Sequence, residues 1–153
     1  MEREALKAAM KRSISEVLET MFFLPLEFPE GQGREPEGKE GNGSLLVTKL
    51  SFHGPFSGDF LFFIPEDLTL SLTAGFLGVE EAKVTRAHVT DMVKEIVNMI
   101  AGNTFSILDD KAVFDLTIPE ILDSRGPEPG EAGVYIPIRT IGNSLALQVV
   151  LPV

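Results

Sequence analysis

Cysteine is absent from the 153 residues, so the chain has no disulfide framework, thiolate metal site or cysteine nucleophile to offer. Tryptophan is absent too, and 11 phenylalanines point instead to an aliphatic and phenylalanine core. Positive charge is scarce: 13 basic residues stand against 23 acidic ones, a formal net charge of −10. That balance argues against nucleic acid or an anionic membrane as the main partner and suits one that presents a basic patch. Long hydrophobic runs are also missing, since MFFLPL and FLFFIP are far too short to span a bilayer. The opening MEREALKAAMKRSISEVLE is too charged for a signal-peptide core, and a cytoplasmic location is expected.

What is present suits one domain with a single core. From Glu2 to about Phe22 the apolar positions Leu6, Met10, Ile14, Val17, Leu18 and Met21 recur at helical spacing, and Pro25 stops the helix. Leu26-Glu27-Phe28 runs extended into Pro29, and residues 30–43 carry no large apolar side chain, which predicts a solvated, mobile loop. Residues 44–64 read as a hairpin around a Gly-Pro turn, and Glu66 to about Gly78 as a second helix. A third helix is expected from about Arg86 to Leu108, then an extended stretch from Ala112 to Ile118 that ends at Pro119. Residues 123–133 repeat the Gly/Pro/Glu loop character, and Val134 to Leu151 forms a further hairpin turning near Ile141-Gly142-Asn143-Ser144.

The order repeats itself. Leu26-Glu27-Phe28-Pro29-Glu30 aligns with Leu116-Thr117-Ile118-Pro119-Glu120 at an offset of 90, which also carries Ser44 to Val134 and Lys49 to Arg139. The expected architecture is α+β and internally duplicated, with half-repeats at about 1–65 and 86–153 joined by the helix at about 66–78. One antiparallel sheet would carry the long helices on one face, with pseudo-twofold symmetry.

The third helix holds the residues of interest. At about 100° per residue, Asp91, Glu95, Asn98 and Gly102 fall on one exposed stripe, while Met92, Val93, Ile96, Met99 and Ile100 turn toward the core. Glu95 can accept an ion pair; Asn98 offers a donor and an acceptor with no titration in range. An amide beside an acid on a rigid helix suits positioning of a water or a carbonyl, not proton transfer by the pair alone. Gly102 in mid-helix costs about 1 kcal/mol relative to alanine, which close approach by another backbone or a loose helix end would explain. Asn103 falls on the apolar side and is expected to be a satisfied buried amide or a local cap. Most exposed Glu and Asn on helices are solvated surface, so the spacing alone is a weak signal. The first half has no matching amide: apolar alignment sets Glu16 and Glu19 against Glu95 and Asn98.

The spacing Asp91-x3-Glu95-x2-Asn98, the run Asn98-Met99-Ile100-Ala101-Gly102-Asn103 and the more distant Pro119 together resemble the chemotaxis phosphatases CheC, CheX and FliY. The resemblance covers nearly the whole of 1–153 as one domain, and the motif in the second half alone is most similar to CheX. It implies hydrolysis of the phosphoryl-aspartate on a CheY-like response regulator, with the acyl phosphate and Mg²⁺ both on the partner and no cofactor or metal of the chain's own. Glu95 would pair with the partner's active-site lysine and Asn98 would align the attacking water. Asp91 and Gly102 would lie in the partner contact, Pro119 would complete the motif, and a homodimer is implied as well. A different class stays open: a non-catalytic adaptor or flagellar-switch-type protein that docks a receiver through the same helix, or a structural domain with a vestigial motif. His53 and His88 are too far apart in sequence, and too poorly matched by carboxylates, for a metal site. Ser13 and Ser15 have no evident base, and Asp109-Asp110 would simply follow the helix end.

Overall fold

The structure, a computed structural model, describes residues 2–31, 35–38, 44–122 and 133–152. Helix α1 spans Arg3–Phe22. It starts where the Glu2 carboxylate accepts from the Glu4 and Ala5 amides, satisfying two donors that a helix start leaves without intrahelical partners. It stops at Phe23, which takes the left-handed conformation, and the Leu24 amide donates back to the Leu18 carbonyl before Pro25. Helix α2 spans Glu66–Leu77 and α3 spans Arg86–Leu108. The starts of these two helices are tied by an ion pair between Glu66 and Arg86. Thr85 and His88 close a capping box at the head of α3, each side chain accepting from the other's backbone amide, so His88 has a cap role.

The strands are β1 (Leu45–His53), β2 (Gly58–Pro65), β3 (Asp115–Leu116), β4 (Glu120–Leu122), β5 (Gly133–Thr140) and β6 (Asn143–Val150). All pairings are antiparallel and the sheet runs β3-β1-β2-β6-β5, with β4 also on the outer side of β1. The protein is therefore an α+β fold, with three α-helices and a six-stranded antiparallel sheet among the described residues. Along β1, β2, β5 and β6 the alternate residues Leu50, Phe52, Phe60, Phe62, Ile136 and Leu147 meet α1 and α3 in the main core. The other face buries a smaller cluster of Val47, Leu61, Phe63 and Ala146.

Two expectations are corrected. The stretch ending at Pro119 is not one strand, for only Asp115 and Leu116 pair before it, and β4 pairs with β1 again after it. Leu116 sits opposite Phe52 and Glu120 opposite Lys49, so three residues face two and the chain makes a β-bulge at Ile118-Pro119. Proline brings no N–H to the ladder and is tolerated at such a point; Pro119 is buried there while Ile118 is 87% exposed. The loop expected to be solvated lies partly outside the described residues, but residues 35–38 are anchored. Pro36 is buried, and Glu37 exchanges both backbone hydrogen bonds with Ser144. Side-chain hydrophobicity does not report on backbone pairing, which is why the sequence hid this strand-like contact. The second Gly/Pro/Glu segment, 123–132, lies outside the described residues.

The β5–β6 turn places Ile141 and Gly142 at φ 48° and 78°, the two left-handed residues of a type I′ turn. Gly142 adopts this freely, whereas a β-branched residue there is strained. Ile141 is exposed, so relieving the strain sacrifices little packing. We expect Ile141→Asn to raise the unfolding free energy by about 1 kcal/mol, read as a higher urea midpoint at unchanged slope.

Candidate functional site

Helix α3 is fastened to α1 along its inner face, where Val93, Ile96, Val97 and Ile100 are buried. Ser13, one of the two serines weighed as a nucleophile, is fully buried, and its hydroxyl donates to the Ile100 carbonyl at 2.7 Å. It is a strut between helices. The stripe from Asp91 to Gly102 lies on the other side, as helical geometry requires, with Asp91 and Glu95 exposed and Asn98 and Gly102 half-buried. Glu95 and Asn98 are one turn apart on a helix held by packing from below. Neither makes a side-chain hydrogen bond or ion pair with a described residue. Among the described residues, nothing lies within 4 Å of where a Cβ on Gly102 would stand.

Asn103 is a satisfied amide, as expected, though half-buried and not a cap: its amide nitrogen donates to Glu16 Oε2 on α1 at 2.6 Å. Arg12 supports the same carboxylate from one turn earlier at 3.2 Å. The Asn103 hydrogen bond is the chief cause holding the Glu16 carboxyl below its usual 4.5, with Arg12 adding to it and desolvation opposing. A depressed folded-state pKa contributes stability that is present above pH 4.5 and is lost as pH falls through the lowered value. Asn103→Ala is therefore expected to lower stability near neutrality and to converge on the wild type as pH falls through the lowered Glu16 value. Thermal melts between pH 3 and 7 would check it, and a deficit that persisted unchanged in acid would remove Glu16 from the account.

The stripe continues past Gly102 into a cleft of about 160 Å³, lined by Gly102, Phe105, Ser106, Asp109, Asp110, Ala112, Phe114 and Leu116. Phe105 and Phe114 stack at 3.9 Å and 11°, so the cleft is walled by α3 on one side and the segment entering β3 on the other. Pro119, farther along that segment, is held in the bulge beside β1 and not in this lining. Asp109 and Asp110 do follow the helix end, yet they also rim the cleft, a role the sequence reading did not assign. The signal was available: at about 100° per residue, Phe105, Ser106 and Asp109 extend the stripe of Asn98 and Gly102. A larger apolar groove, about 380 Å³, lies between the C-terminal ends of α1 and α2 and holds none of these residues. His53 stands at the far end of β1, opposite Asp115. Among the described residues, no group of three or more His, Asp or Glu side chains is placed to hold a metal, and no helix is long and apolar enough to cross a membrane.

The arrangement offers a carboxylate and an amide that no described residue engages, and a bare backbone position in a row with them, on a helix packed against the core. Such a surface can reach into another molecule's site and orient a group there. Comparison with solved structures is consistent with a shared fold. The CheX crystal structure from Vibrio vulnificus superposes with a TM-score of 0.75 at 22% identity, over 99% of each chain. CheX from Desulfovibrio desulfuricans gives 0.71 at 17% identity, over 96% of this chain and 99% of that one. A CheX–CheY–BeF₃–Mg²⁺ complex from Borrelia burgdorferi gives 0.72 at 18%, over 96% of this chain and 97% of that one. No curated protein matches the sequence. The family model described as chemotaxis phosphatase CheX matches residues 46–139, which hold β1, β2, all of α3 and its stripe, and nearly all of β5. By that match, the chain belongs to the CheX family.

Proposed function

We propose that the chain hydrolyses the phosphoryl-aspartate of a CheY-type response regulator, with Asn98 positioning the water and Glu95 docking the partner. One observation carries this reading: Asn98 and Glu95 have no side-chain partner among the described residues, while Asn103, five residues on from Asn98, is taken up by Glu16 inside the fold. An amide left open on a rigid exposed helix is available to another molecule. Phosphoryl transfer is mostly positioning and charge stabilisation, which asks of the catalyst little more than this pair supplies. The Asn98 carbonyl accepts a hydrogen bond from a water and lines its oxygen up with phosphorus. That oxygen bonds to phosphorus as the phosphorus–oxygen bond to the aspartate breaks, releasing a carboxylate and inorganic phosphate. The Glu95 carboxylate pairs with the partner's lysine, and Mg²⁺ stays on the receiver. A relative solved in complex with CheY supports such a partner.

Asp91 and Gly102 belong to the same contact in this reading, and Pro119 supports it from the bulge. We further read the chain as one domain in which 1–65 and 86–153 are duplicated, pseudo-twofold halves. The central β2–β6 pair, with β1 and β5 outside it, supports that reading. A homodimer and a cytoplasmic setting follow from the family resemblance.

The test is phosphate release from a radiophosphorylated CheY-type receiver in Mg²⁺, with and without the chain. Acceleration over spontaneous decay is the expected result. Binding without acceleration would leave a docking adaptor in place of an enzyme.

A further inference from the structure

Beyond Asn98 the exposed stripe does not end on a flat helix surface; it opens into the cleft at the C-terminal end of α3. At about 160 Å³ the cleft is smaller than sites for small-molecule ligands, which run at about 300–1,000 Å³. It is close to the apolar cavity of about 150 Å³ that accommodates a benzene-sized group. One side chain fits. The floor is apolar, made by the Phe105–Phe114 stack and Leu116. The rim is acidic, with Asp109 and Asp110 exposed and neither in an ion pair with a described residue. Among the described residues, these two carboxylates belong to no group of three or more side chains that could hold a metal. The entrance on the Asn98 side is Gly102, where a side chain would stand in the way and where no described residue comes within 4 Å of a Cβ. The opposite wall belongs to a segment that also exposes Val113 by 77%.

We propose that this cleft takes a lysine or arginine side chain of the receiver on which Asn98 acts, its aliphatic stem against Phe105 and Phe114 and its charged head at Asp109 and Asp110. Long cationic side chains are built for such a place, with an apolar stem and a charged tip that stays wet. The cleft begins one turn beyond Asn98, and Asp109 stands 11 residues on, roughly 16 Å along the helix axis. One receiver face therefore reaches both, and the cleft fixes how that face is rotated about the Asn98 contact. This rests on the phosphatase reading for the identity of the partner.

The test uses the full chain and a CheY-type receiver phosphorylated with acetyl phosphate in Mg²⁺, following phosphate release against receiver concentration. The double variant Asp109→Asn, Asp110→Asn is expected to raise KM about tenfold with kcat unchanged, and to flatten the dependence of KM on salt. Gly102→Leu, which has open space to occupy, is expected to raise KM further while the melting temperature holds. Neutralising Glu80 and Glu81 at the opposite end of α3 is expected to leave KM alone; an equal rise there would reduce the effect to net charge and overturn the cleft. A wild-type KM and salt dependence in the Asp109/Asp110 variant would overturn it too. If the wild-type chain does not accelerate release, the phosphatase reading fails first, and the cleft is judged on binding to the beryllofluoride–Mg²⁺ receiver. A Kd about tenfold weaker in the double variant then supports it, and an unchanged Kd, or no binding by the wild type, overturns it.

Discussion

Replacing Asn98 by alanine is expected to cut phosphate release from a phosphorylated receiver by roughly 100-fold or more, toward the spontaneous rate, with the melting temperature unchanged. The size of the effect follows from what orientation contributes: a hundredfold corresponds to about 2.7 kcal/mol of barrier. The unchanged stability follows from the fold, because Asn98 is half-buried and makes no side-chain hydrogen bond with a described residue that its loss would orphan. Asn98→Asp keeps the shape but sets a negative charge against the phosphoryl group, and should be no better than alanine. Glu95→Ala separates the roles, since removal of a docking charge should raise KM far more than it lowers kcat. Wild-type turnover in both alanine variants would sink the site assignment. Loss of turnover accompanied by unfolding would leave it undecided for that variant, which is why the melting curve belongs to the measurement.

The second large effect concerns Phe52. Its ring is fully buried and touches four others: Phe56 at 5.5 Å, Phe60 at 5.6 Å, Phe105 at 4.8 Å and Phe114 at 6.2 Å. Through it, β1, the segment entering β3 and the C-terminal part of α3 share one aromatic cluster. Truncation to alanine removes the ring and leaves a void that neighbours on three elements cannot all close, at a cost of about 3–5 kcal/mol. That is a large part of the roughly 5–15 kcal/mol that holds a domain folded. Urea unfolding should show it as a midpoint drop at near-constant slope, and Phe52→Leu should cost much less. A loss below about 1 kcal/mol would mean that the cluster relaxes freely, and the cleft wall with it.

Helix α3 was legible almost residue for residue, because an apolar stripe and a long uninterrupted run agree on its limits. The same periodicity separated Glu95 and Asn98 from the core. Other features had no comparable signal. Pro119 marks a break in the extended stretch but does not reveal that pairing resumes at Glu120, since a bulge is defined by the register of the strand opposite. Glu37 gives no hint in its side chain of a backbone bridge to Ser144. Asn103 sits among apolar residues, which suggested a buried amide; its partner Glu16 lies 87 positions away on a different helix, beyond the reach of local pattern. The cleft needed two separate segments to be brought together, and only its α3 half could be traced by angle.

The sheet order also sets a timetable for synthesis. The first hairpin, β1–β2, is complete once Pro65 has been added, yet neither of its edges has its final neighbour. β3 and β4 cover β1 only when Leu122 arrives, and Phe63 of β2 waits for Ala146 of β6. At about 5–20 residues per second, that last wait is on the order of 4–17 s, during which a Phe-rich strand stands with an unpaired edge. Sequence-distant pairing of this kind also slows folding from the denatured state. The nascent chain is thus most exposed to strand-on-strand aggregation before its last hairpin has been made, and truncations that stop short of Ala146 should accumulate as aggregates.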